Sequence, residues 1–112
     1  MAQDPFYVAQ GEIESQIKQV EEMVSGLKRS PNLKAKGKDI TQEIEQLKID
    51  TQDLGSTIDI VESNPEKFKV SASELRDRKQ FIQRTDANLA RLSQQVTAIV
   101  SEQIAAQTAF QE

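Results

Sequence analysis

Apolar residues recur along this chain at alternating spacings of three and four, the period of a helix that buries one face. The first series is Ile13, Ile17, Val20, Val24 and Leu27, and Phe6 and Gln10 extend the stripe backward. Asp4 suits the N-cap before it, and Pro5 the first helical position, where a missing N–H costs nothing. Lys28 and Arg29 complement the negative helix end before Ser30-Pro31-Asn32 stops the helix. A second series runs Ile40, Ile44, Leu47, Thr51, Leu54, Ile58 and Val61, with Asp39 as its candidate cap, an earlier start also being open, and Asn64-Pro65 as its stop. The third begins at Ser71, which forms an S-x-x-E capping box with Glu74, while Val70 and Leu75 make the hydrophobic staple. Leu75, Ile82, Leu89 and Val96 then recur every seven residues, with Leu92 and Ile99 between them. The pattern predicts helices near residues 4–29, 39–63 and 71–108.

Connectors this short place neighbouring helices antiparallel, and stripes about two residues per heptad wide bury against two partners. The expected fold is therefore all-α, one antiparallel up-down-up three-helix bundle with a left-handed lean, filling residues 1–112 as a monomer. Gln10, Thr51, Arg78 and Thr85 interrupt the stripes and read first as edge positions with their polar heads in water, and alternatively as a buried polar network that sets register. Phe68, in the connector before Ser71, reads either as a plug for the bundle end or as an exposed recognition residue. Composition fits helices: Gln occurs fourteen times, and only four Gly and three Pro are present. Aromatics make up 4 % with no Trp, so the core is expected to be Ile, Val and Leu.

Candidate chemistry is narrow. With no Cys, disulfides, thiolate zinc sites and Cys nucleophiles are excluded, and with no His the commonest metal ligand and general base go too. No catalytic residue, metal site or cofactor is expected. Glu12, Glu14, Glu21, Glu22, Glu43 and Glu45 fall off the stripes and read as solvated faces, since bundle di-metal sites need His as well. The net charge of −4 argues against nucleic acid. Lys28, Arg29, Lys34, Lys36 and Lys38 form a basic loop with no acid between them. It reads first as a solvated loop that neutralises a helix end, and alternatively as a contact for anionic lipid or an acidic partner. No apolar run reaches 18 residues and the start has no leader pattern, which suits the cytosol.

The order of particular residues adds more. Asp4-Pro5-Phe6, then Thr57-Ile58, Ile60-Val61-Glu62-Ser63-Asn64-Pro65 and Lys67-Phe68, then Glu74-Leu75, Arg78-Lys79 and Phe81-Ile82 resemble the N-terminal domain of the syntaxin-6 family. The likeness covers about residue 3 to residue 90, and the Asn-Pro connector with the Glu-Leu-x-x-Arg-Lys-x-Phe-Ile stretch is its specific part. Members in animals carry Trp on the first two helices. Here there is none, Ile49 stands where the second would fall, and residues 30–38 match nothing in the family, which suggests a divergent, fungal-like member.

The resemblance implies a Habc-type regulatory domain of a SNARE, acting in vesicle fusion on the cytoplasmic face of the trans-Golgi network and endosomes. It implies a non-enzymatic adaptor whose partners are a vesicle-tethering complex subunit and other SNARE machinery. The full-length protein would be membrane-anchored, and this chain would lack both SNARE helix and anchor. Asp4, Phe6, Tyr7, Val8 and Phe68 are the expected partner contacts, with Tyr7 and Val8 chosen because the core stripe does not use them. The other reading from periodicity is a coiled-coil or spectrin-like scaffold that self-associates.

Overall fold

The computed structural model describes residues 4–111, the side chains of 107–111 excepted. Met1, Ala2, Gln3 and Glu112, which the expected single domain includes, lie outside the described residues. The fold is all-α: α1 spans Pro5–Gly26, α2 Leu33–Ser63, α3 Pro65–Phe68 and α4 Ala72–Gln111, with a 3-10 turn at Leu27–Arg29 after α1.

The start of α1 forms as its sequence dictates. Asp4 Oδ1 accepts the Phe6 N–H at 3.0 Å, and Pro5 opens the helix. Its end tightens into the 3-10 turn, and Ser30 is extended at ψ 133°, the conformation required of a residue before proline.

The start of α2 corrects the expectation. Asp39 is not a cap, because the helix begins six residues earlier at Leu33, with Asn32 at the N-cap position. Lys34, Lys36 and Lys38 are therefore helical and not part of a loop. The reason is Gly37, a buried member of the stripe. A Cβ there would stand 2.7 Å from Val100 Cγ2, so the absent side chain is what lets α4 approach.

Asn64-Pro65 ends α2 as expected, but the connector is partly helical. Pro65 opens the one-turn α3, and Lys69 closes it in the left-handed region at φ 51°, donating its N–H to the Pro65 carbonyl at 3.0 Å. Ser71 Oγ then accepts the Glu74 N–H at 3.1 Å. Only this half of the capping box forms, because Glu74 turns toward Arg78, with Oε2 3.8 Å from the guanidinium.

The core contains Ile13, Ile17, Val20 and Val24 of α1, Ile40, Ile44, Leu47, Leu54 and Ile58 of α2, and Phe81, Leu89, Leu92 and Val96 of α4. Thr51, Arg78 and Thr85 are buried with them, at 0–4 % exposed, so the edge reading of these positions is wrong; Gln10 is half-buried. Thr51 is accommodated because its hydroxyl donates to the Leu47 carbonyl at 2.7 Å, which leaves its methyl for packing. Between helices, Gly37 faces Val96 and Val100, Gly55 faces Ile82, and Lys79 pairs with Glu62 at 2.8 Å. The molecule is a rod of 67 × 24 × 17 Å.

Candidate partner-binding groove

One end of the rod is organised around Arg78. Its guanidinium lies 4.6 Å from the centre of the Phe6 ring and 5.1 Å from that of Tyr7, and it donates to Asp4 Oδ2 at 2.6 Å. Asp4 thus uses one carboxylate oxygen to cap α1 and the other to neutralise a buried cation of α4. The Phe6 N–H bond holds the Asp4 carboxyl below its ordinary value; partial burial opposes this and the Arg78 charge reinforces it. Burial works most strongly against the Arg78 charge, yet Asp4 and Tyr7 together more than offset it and keep its pKa above the ordinary value. Both groups are charged at neutral pH. Phe6 also meets Phe81 edge-on, with ring centres 6.4 Å apart, which fixes α1 against α4.

Beside this cluster a groove of about 610 Å³ opens between α1 and α2. Ala9 and Ile13 line one side, Leu54, Thr57 and Val61 the other, Phe6 lies at the floor, and Phe68 with Val70 closes the end. Glu12, Asp50 and Asp53 stand along its length. The interior is apolar while the charged positions are acidic, apart from Arg78, which Asp4 already neutralises.

The structure divides the expected contact residues. Asp4, Phe6 and Phe68 line the groove together. Phe6 does so as buried floor, 4 % exposed, whereas Phe68 is 40 % exposed and stands as wall and not as a core plug. Tyr7 and Val8 turn elsewhere, into a separate shallow depression on the outer side of α1 with Gly11, Ser15 and Gln19. Leu54, Val61 and Val70 went unnoticed as groove residues because their stripe and connector positions had assigned them to the core. Arg78 carried a readable signal: a cation on an apolar stripe needs an acid nearby, and Asp4 is that acid. The basic residues lie apart from the groove, with Lys28, Lys34 and Lys38 around a third depression that Arg29 and Lys36 do not line. Among the described residues no group of three or more carboxylates is placed to hold a metal, and no helix is long and apolar enough to cross a membrane.

The all-α fold is joined by a match in sequence to a known class of trafficking domain. The family described as Syntaxin 6/10/61, N-terminal, matches residues 4–93, and the chain belongs to that family. Syntaxins are non-enzymatic trafficking proteins. The chain is similar to syntaxin-6 of Gallus gallus, 30 % identical over 92 residues that make up 74 % of this chain and 36 % of that protein. It is 29 % identical over 105 residues to syntaxin-6 of Rattus norvegicus, covering 86 % of this chain and 41 % of that protein. Human syntaxin-10 is 32 % identical over 91 residues, 73 % of this chain and 36 % of that protein. The chain therefore spans about two fifths of the length of these relatives.

Proposed function

We propose that this chain is the regulatory N-terminal domain of a SNARE of the trans-Golgi network and endosomes, an antiparallel up-down-up bundle with a left-handed lean that acts as a monomer. Its task is to receive a short segment of a vesicle-tethering complex in the groove between α1 and α2. Family membership supports the trafficking role. The observation that carries the binding mode is the preformed apolar groove, walled by a half-exposed Phe68 and long enough to accept one face of an amphipathic segment. A contact of this size gives affinity near micromolar, about −8 kcal/mol, and repeated engagement at a membrane supplies the rest.

Calorimetric titration of tether-derived peptides into the domain tests this reading. Binding that is lost in Phe68→Ala and kept in Tyr7→Ala places the peptide in the α1–α2 groove. The reverse result moves it to the outer side of α1, where Tyr7 and Val8 lie. Binding by no tether peptide ends the tether reading. A solution mass of two copies or more ends the monomer and favours the self-associating scaffold.

A further inference from the structure

The strongest charge asymmetry of the molecule lies at the end away from the groove. Lys28 and Arg29 occupy the 3-10 turn, and Lys34, Lys36 and Lys38 the first turns of α2. The chain has 14 cations and 18 acids in all, and residues 28–38 hold five of the cations with no acid among them. The rest of the chain is therefore strongly acidic. Among the described residues the ion pairs are made by Lys48, Arg78 and Lys79, so none of the five is neutralised by one.

The local helix rules are also broken there. The N-terminus of α2 already carries partial positive charge, has no acid in its first turn and receives no side-chain cap from Asn32. Lys34 and Lys36 add like charge to it. A sequence that accepts this mismatch is one whose positive charge is balanced from outside the fold. Lys28, Lys34 and Lys38 surround a depression of about 570 Å³ whose apolar members are Leu33, Val100 and Ile104, the last 45 % exposed.

We propose that this end docks on an anionic lipid bilayer, with the lysines reaching headgroup phosphates and Leu33 and Ile104 facing the boundary with the acyl chains. Four of the five cations are Lys, compact charges on flexible stems, which suit a mobile field of phosphates. A protein carboxylate is better matched by the fixed fork of Arg, and among the described residues the depression is lined by none of the aromatic anchors that dominate protein contacts. The rod shape makes the contact end-on. At physiological salt charges are screened beyond about 8 Å. On a rod 67 Å long, most of the acids are then too distant to repel the surface. The acids nearest the run in sequence, Glu22 on α1 and Asp39 on α2, and Glu102 on α4 next to the lining residue Gln103, are outnumbered by the five cations.

Sedimentation of the 112-residue chain with vesicles tests the proposal, using phosphatidylcholine alone and phosphatidylcholine mixed with phosphatidylserine. Binding is expected only to the mixed vesicles, falling as salt rises. The triple variant Lys34→Gln, Lys36→Gln, Lys38→Gln should partition about 100-fold more weakly, at about fivefold per lysine near an anionic surface. A control with the same change in net charge, Lys18→Gln, Lys48→Gln, Lys67→Gln, should partition within about twofold of the original chain. Equal binding to both vesicle types overturns the proposal, as does an equal loss in the two triple variants. Binding to poly-glutamate without binding to the mixed vesicles also overturns it and assigns the patch to an acidic protein.

Discussion

Removing the Asp4 carboxylate tests the Arg78 cluster most directly. Asp4→Ala takes away the acceptor for the Phe6 N–H, a loss of about 0.5–2 kcal/mol for a helix N-cap. It also strands Arg78, which is 4 % exposed and would keep Glu74, at 3.8 Å, as its paired acid. Breaking a fully buried pair from one side costs about 3–5 kcal/mol. The Asp4 side chain is 40 % exposed, so screening lowers this part to about 1–2 kcal/mol. The substitution should therefore cost about 1.5–4 kcal/mol in all.

Arg78→Met removes the buried charge and its Nε, which has no hydrogen-bond partner, keeps an apolar stem near Phe6, and leaves Asp4 as a cap. It should cost about 1 kcal/mol or less. The double variant should then be more stable than Asp4→Ala alone, since no cation remains to be stranded. Urea denaturation of all four proteins gives the cycle. If the double variant loses at least the sum of the two single losses, Arg78 does not depend on Asp4 and the reasoning is wrong. The pH dependence has a fixed sign. A carboxyl whose folded pKa lies below its ordinary 3.8 stabilises fully above that value and loses the contribution as pH falls through the folded pKa. Between neutral pH and strong acid, Asp4→Ala should accordingly lose less stability than the unmodified chain.

Three further substitutions are checked by the same denaturation assay. Gly37→Ala should destabilise by about 1 kcal/mol, because overpacking against Val100 outweighs the gain in helix propensity, and in a Val100→Ala background it should stabilise by about 1 kcal/mol. Lys69→Gly should stabilise by about 0.5–1 kcal/mol: relief of the left-handed backbone is worth about 1–2 kcal/mol, and the freer unfolded chain takes part of it back. Leu89→Ala, at a side chain 0 % exposed, should cost about 2–5 kcal/mol, and a loss under about 0.5 kcal/mol would show that it does not face a packed core.

The helices were legible wherever side chains carried the pattern. Ile44, Leu47 and Leu89 announce their stripes through volume, and all are at most 2 % exposed. The pattern failed where the buried position had no side chain or a polar one. In α2 the stripe runs Leu33, Gly37, Ile40, Ile44, and the blank at Gly37 hid the first two turns. Among the described side chains of α4 the buried ones are Arg78, Phe81, Thr85, Leu89, Leu92 and Val96. Two polar members made this series look broken, while the seven-residue repeat of Leu75 and Ile82 drew attention to positions that are only half-buried.

The groove was harder to read because its decisive contacts join distant parts of the chain. Asp4 and Arg78 are separated by 74 residues, and helical period assigns each a face without showing that the faces meet. Asp4 was recognisable as a cap from its neighbour Pro5, but its second role depends on how α1 lies against α4. Phe68 is a different case. No stripe sets its direction, because α3 is only one turn long and ends where Lys69 adopts φ 51°. That left-handed residue turns the chain toward Ser71 and leaves the ring 40 % exposed above Val61 and Val70 on the groove wall. Both readings of Phe68, plug and recognition residue, are compatible with an aromatic between two helices, and the backbone reversal at one lysine, by leaving the ring exposed, removes the plug.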